Sequence, residues 1–231
     1  MTTGGKSRLG QLQERHSDQL LTVLTVLLLV MMFVVAPVQA AGISIVGIEA
    51  FGVLVALVMV AGVLVISASP AITFVILCGF LLNIVVVIAR LTNPLSYDLY
   101  FVSIAWLIIV GTLGFVVGRK VFEQGQVTVH RIIGAVLLYL LIALAFVCLF
   151  MLVAFRVPNA FNGLVLEDNQ KLASNFIYFS FVTLTSTGYG DIYPVHPVAR
   201  SLCNLETIIG QLYPATLLAR LVSLEIEGRR R

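Results

Sequence analysis

The stretch TLTSTGYGDIYP, Thr183 to Pro194, decides how this chain is read. It is the one run in which polar residues and glycines crowd between hydrophobic segments of membrane length. A loop of about 14 residues, Val157 to Gln170, leads into Lys171 to Leu184, which reads as a helix capped by Asp168 or Asn169. Roughly 13 helical residues rise only about 20 Å, too little to cross a bilayer and return. The chain must therefore dip into the membrane and come back through Thr185 to Asp191 in non-helical form. Such backbone is tolerated at membrane depth only where protein buries it or where it lines a watery cavity. The sequence asks for a pore.

Composition supports a membrane setting. Of 231 residues, 60% are hydrophobic and 11% charged, and the mean hydropathy is +1.07. A soluble domain of this size has no means of hiding so much apolar surface. Lipid is thus the expected surrounding. The net charge of +3 is small and its carriers are scattered, which excludes nucleic acid as a partner. Cys78, Cys148 and Cys203 lie in apolar stretches and are odd in number, as expected of buried thiols rather than a disulfide framework. His16, His130 and His196 share no metal-ligand spacing.

A bilayer core of about 30 Å takes roughly 20 apolar helical residues, and six segments approach that length. They are Leu20 to Ala36, Ile43 to Ile66, Ala71 to Ala89, Leu99 to Gly118, Ile132 to Phe155 and Val198 to Leu224. An apolar run ending in Val38-Gln39-Ala40 also resembles the end of a secretory signal peptide, but a long leading region with Glu14 and Asp18 favours a retained span. With the N-terminus inside, ten Lys and Arg side chains fall on the cytoplasmic side and Arg90, Arg156, Lys171 and Arg200 outside. Positive charge collects on the cytoplasmic side of membrane proteins, so both termini are expected there, in a plasma (inner) membrane.

Thr185 to Asp191, TSTGYGD, resembles the selectivity-filter signature of tetrameric potassium channels. The order of helix, re-entrant helix, filter and helix over roughly Ile132 to Leu224 is similar to their pore domain. The residue types have a physical rationale. A channel strips water from a cation by offering backbone carbonyls in its place. Aligning successive carbonyls needs left-handed dihedrals at intervals, which Gly188 and Gly190 accept without a Cβ penalty.

The resemblance implies a homotetramer whose filter carbonyls of Ser186, Thr187, Gly188, Tyr189 and Gly190 hold K+ ions, with the Ser186 hydroxyl completing the innermost site. It also implies that Tyr189 packs outward to set the filter width, that Thr185 supports the filter, and that Asp191 marks the outer mouth, tied to an aromatic such as Tyr178. Gly210, 22 residues after Gly188, stands where the family places a gating hinge, with Pro214 one turn on; a bend is expected there. Two departures bear on selectivity. Where the family commonly has Thr then Val, this chain has Ser186 then Thr187, losing a rotamer-fixing methyl and placing a hydroxyl behind the filter.

Glu206 is the one carboxylate well inside an expected span, and an intramembrane ionisable group is a functional candidate by default. A structural hydrogen bond to the re-entrant helix is expected, with Gln211 and Tyr213 sharing the network. Arg200 is expected to pair with Glu167 or Asp168. The first four spans stand in the place of a voltage sensor, yet Leu99 to Gly118 carries no Arg or Lys, and Arg119 and Lys120 lie only at its inner end. Charges inside the field are what such a sensor needs. Glu49, Arg90 and Asp98 are expected to form a structural ion-pair cluster.

The expected class is an all-α membrane protein of the prokaryotic six-transmembrane type. A cytoplasmic segment (1–19) precedes a four-helix domain without gating charges (20–118), a cytoplasmic linker (119–131), a pore domain (132–225) and a basic tail (226–231). The function expected is passive potassium conduction with weak or absent voltage dependence. The alternatives are a poorly selective monovalent cation channel and a non-conducting membrane subunit. No nucleophile, base and orienting group come together as an enzyme would require. No regulatory partner is legible, and Ile226 to Arg229, IEGR, resembles an engineered protease site, as expected if the native C-terminus had been cut away there.

Overall fold

The computed structural model describes residues 21–43, 48–67, 69–92, 98–122, 129–166 and 170–229. The expected cap at Asp168 or Asn169, the Glu167 or Asp168 partner of Arg200, the Glu49 side chain and segment 1–19 lie outside them. Helix α1 (Leu21–Ala40) is followed by α2 (Ile48–Ile66), α3 (Pro70–Thr92), α4 (Asp98–Val121) and α5 (Val129–Arg156). A two-residue strand β1 (Phe161–Asn162), helix α6 (Gln170–Leu184), strand β2 (Tyr193–Pro194) and helix α7 (Pro197–Arg229) complete the order.

Local chemistry accounts for several boundaries. In α1 a π-helical turn, Met31–Val35, precedes Pro37; the ring bars a normal bond to the carbonyl four residues back, and a widened turn absorbs the conflict. Pro70 opens α3, where a missing N–H costs nothing. Asp98 lies in the first turn of α4 and Arg119 and Lys120 in its last, each charge complementing the helix dipole. Helix α7 starts at Pro197, and His196 Nδ1 accepts the Val198 N–H at 3.3 Å.

Among the described residues, four helices are long and apolar enough to cross a membrane: Leu21–Ala40, Pro70–Arg90, Asp98–Val121 and Ile132–Arg156. Six such spans were expected. The described apolar stretch of α2, Gly52–Leu64, is shorter. Helix α7 has ample length at 33 residues, but Ser201, Asn204, Glu206, Thr207, Gln211 and Thr216 dilute its apolar character. Its polar content is the feature a pore-lining helix would show.

Helix α4 packs along α5, and α3 along α4. The Arg156 guanidinium, at the end of α5, lies 5.5 Å from the Tyr100 ring at the start of α4, so the two helices run antiparallel. One hydrophobic core joins Leu24 and Leu28 of α1 and Met59 of α2 to Ile109 and Leu113 of α4 and Leu137 and Leu141 of α5. It is continuous across the boundary expected at 119–131. Helix α1 also reaches α6, with the rings of Phe33 and Phe181 5.1 Å apart.

A second core, rich in aromatic rings, carries α6. Phe150 of α5 meets Phe179 of α6 at 5.0 Å and Phe161 of β1 at 5.7 Å, and Phe161 in turn meets Phe176 at 6.0 Å. Tilted and edge-on pairs of this kind add specificity to apolar burial. Strands β1 and β2 pair antiparallel, Phe161 opposite Pro194 and Asn162 opposite Tyr193, and close the loops over the end of the filter segment. The Asn162 amide and the Tyr193 hydroxyl are hydrogen-bonded across this ladder.

Candidate functional site

The backbone after α6 alternates in hand. Ser186, Gly188 and Gly190 take φ of 57°, 60° and 81°, while Thr187 and Tyr189 do not enter the left-handed region. Ser186 is the member that composition did not single out, because a left-handed Ser costs roughly 1–2 kcal/mol and betrays itself only in three dimensions. The segment is anchored to the end of α6: Val182 O accepts the N–H of Thr187 (2.9 Å) and of Gly188 (3.3 Å), and Thr183 O that of Ser186 (3.0 Å). These bonds also satisfy carbonyls that the helix end leaves without partners.

Thr187 does not leave its hydroxyl idle. Thr185 Oγ1 donates to Phe181 O at 2.7 Å and lies 2.8 Å from Thr187 Oγ1. With the Thr185 hydrogen committed to the carbonyl, Thr187 is the donor between the two hydroxyls. The Thr187 hydroxyl thus has a partner within the segment. Ser186 Oγ accepts from Gln211 Nε2 at 2.8 Å.

After the glycines, the rings of Tyr178 and Tyr189 stack at 6.3 Å and 3°, with Tyr178 beside Asp191. Gly163, at φ +80°, lies so close that a Cβ there would sit 1.9 Å from Asp191 O. Only glycine fits both that contact and that dihedral. Tyr189 is 72% exposed in the single chain, and Thr185 to Asp191 are all exposed.

Helices α5, α6 and α7 share one polar node. Glu206 is fully buried. Its Oε1 lies 2.5 Å from Ser180 Oγ, which also lies 2.9 Å from Ala143 O. A hydroxyl has one hydrogen to give. When Ser180 gives it to the carbonyl, the short contact to Glu206 takes a proton from the carboxyl. Gln211 and Tyr213 stand apart from this node, against expectation: Gln211 turns to Ser186, and the Tyr213 hydroxyl donates to Ala135 O at 2.8 Å. Glu206 and Gln211 are five residues apart, about 140° around the helix, so they face different ways.

Gly210 and Pro214 lie inside an unbroken α7. A Cβ on Gly210 would sit 1.9 Å from Leu184 O. The glycine is where the inner helix touches the end of α6. Arg200 Nε donates to Pro194 O at 3.2 Å. At the far end of α7, Arg220 Nη2 donates to Phe122 O at 2.7 Å, joining this helix to the end of α4. Among the described residues, no group of three His, Cys, Asp or Glu side chains is placed to hold a metal.

Residues 137–226 match the sequence profile of the family described as ion channel. The matched residues resemble an ion channel domain. The match spans α5 after its first turns, the filter segment and nearly all of α7, and leaves the first four helices outside it. Protein LctB of Bacillus caldotenax is 25% identical over 128 residues, which cover 54% of this chain and 95% of that protein. No solved structure matches. With its apolar helices and a channel domain, the chain is a multi-pass membrane protein.

Proposed function

We propose that four copies of this chain assemble into a passive channel for potassium, with Ser186 to Gly190 of each copy lining a shared path. The observation that carries this reading is the alternating left-handed backbone at Ser186, Gly188 and Gly190. It is a conformation with no use in packing and a direct use in presenting carbonyls to a cation. The exposure of the whole segment in one chain adds to it. Non-helical backbone is not left facing lipid, and three further copies about a central axis cover it.

In this assembly potassium exchanges its hydration shell for carbonyl oxygens and moves down its gradient between adjacent sites. No bond is made or broken in the protein. Asp191 rings the outer mouth and raises the local cation concentration. The hydrogen-bonded Thr187 and Ser186 answer the two departures from the family's filter and favour potassium selectivity over the weakly selective alternative. Both ends of the chain lie on the cytoplasmic side of the plasma membrane in this reading, and lipid surrounds α1 to α5.

Reversal potentials of the reconstituted protein, with potassium on one side and sodium on the other, test the proposal. A potential near the potassium equilibrium value is expected. A value near zero would favour the poorly selective cation channel, and absence of flux the non-conducting subunit.

A further inference from the structure

We propose that Gln211 is a selectivity-determining positioning residue, acting through the Ser186 hydroxyl at the cavity end of the filter. The inference rests on the channel reading above and adds to it a residue outside the filter segment.

Two observations bear on it. Gln211 Nε2 donates to Ser186 Oγ at 2.8 Å, bridging α7 and the innermost filter residue. Gln211 also belongs to an exposed stripe on α7, with Asn204, Ile208 and Ala215 at helical spacing. Its amide therefore lies on a face left open by its own chain, and Ser186 is exposed beside it.

The chemistry follows from counting lone pairs. A serine hydroxyl has two lone pairs and one hydrogen, and with a single substituent on Cβ besides the backbone it turns among three rotamers. Threonine carries a methyl that restricts this rotation. Ser186 lacks the methyl, and its backbone is already in the left-handed region. The Gln211 amide takes one lone pair and holds the oxygen in place, leaving the second lone pair for a cation. Four such amides make a collar beneath the filter. A collar that fixes the oxygens at one radius penalises a smaller cation, which needs them closer. Gln211 thereby does from the inner helix what a methyl does within the filter.

The test is a double-variant cycle read as the potassium-to-sodium permeability ratio of the full-length protein in planar bilayers. Gln211→Met keeps length and removes the donor. In the Ser186 background it is expected to lower the ratio about fivefold, the equivalent of one hydrogen bond of ordinary strength. In a Ser186→Thr background the same change is expected to move the ratio by less than about twofold, because the threonine methyl now restrains the rotamer. An unchanged ratio in the Ser186 background overturns the inference, as does an equal loss in both backgrounds. Gln211→Asn, too short to reach, replaces the methionine variant if that one does not assemble, with the same two criteria. A wild-type protein that fails to discriminate potassium from sodium overturns the potassium-selective reading on which the inference rests, a result separate from either of these.

Discussion

Gly210 of α7 rests against the carbonyl of Leu184 at the end of α6, so closely that a Cβ on the glycine would sit 1.9 Å from the oxygen. The contact joins the inner helix to the helix that carries the filter. A residue in that position serves packing whatever it does in gating.

Gly210→Ala is therefore expected to destabilise the protein by roughly 1–3 kcal/mol, as overfilling a packed contact does. The melting temperature in detergent checks this. A glycine acting as a hinge alone would leave that temperature unchanged and alter only the open probability.

The Ser180 and Glu206 pair yields a prediction that separates charge from hydrogen bonding. Glu206→Ala leaves a buried hydroxyl short of a partner and is expected to cost about 1–3 kcal/mol. Glu206→Gln keeps an oxygen that accepts from Ser180 Oγ and adds an amide that can donate to it, and is expected to stay within about 0.5 kcal/mol of the original. Thermal unfolding of the two variants side by side reads the difference. Equal losses would mean that the carboxyl itself is needed.

The paired hydroxyls behind the filter predict an asymmetry. Thr187→Val removes a donor that only Thr185 receives and is expected to leave selectivity within about twofold of wild type. Thr185→Val strands the Thr187 hydroxyl and leaves the Phe181 carbonyl only the Thr185 backbone N–H, and is expected to lower the permeability ratio about fivefold or more. Reversal potentials measured on both variants decide it. The opposite order would show that the Thr187 hydroxyl acts elsewhere.

Asp191, beside Tyr178 and overlaid by Gly163, predicts a salt-dependent conductance. Asp191→Asn is expected to lower single-channel conductance at low ionic strength and to have little effect near 1 M salt, where the screening length falls to about 3 Å. Conductance as a function of potassium concentration tests the point. A loss of equal size at all concentrations would indicate damage to the filter rather than a lost surface charge.

Voltage dependence is expected to be weak. The basic residues of α4 are confined to its last turn, and moving even one charge through the field supplies about 2.3 kcal/mol per 100 mV, roughly a 50-fold change in an equilibrium. Open probability between −100 and +100 mV is expected to vary by less than about twofold. A steep curve would require charges from another part of the chain.

How much was legible in advance follows the range of the forces involved. The re-entrant helix was read as Lys171 to Leu184 and runs Gln170–Leu184, because its length, its flanking loop and the glycines after it are local features. The left-handed pair Gly188 and Gly190 was legible for the same reason, since only glycine takes that conformation freely. The span count was less so. Polar residues along α7 keep that helix below the apolarity of the other spans, and the described part of α2 is short.

By itself the sequence determined that a glycine-bearing non-helical segment follows a short helix, that a carboxylate lies within the last helix, and that α4 carries no Arg or Lys before its last turn. Each of these depends on residue type and spacing along one element. Only the tertiary structure decided the partners: Glu206 with Ser180, Gln211 with Ser186, Thr187 with Thr185, and Gly210 with the Leu184 carbonyl. Those pairings depend on how each helix is rotated about its axis and how closely it approaches its neighbour. Both are set by the packing of large side chains such as Phe150, Phe176 and Phe179 in a shared core. Spacing along a chain carries no record of that rotation until the cores are packed.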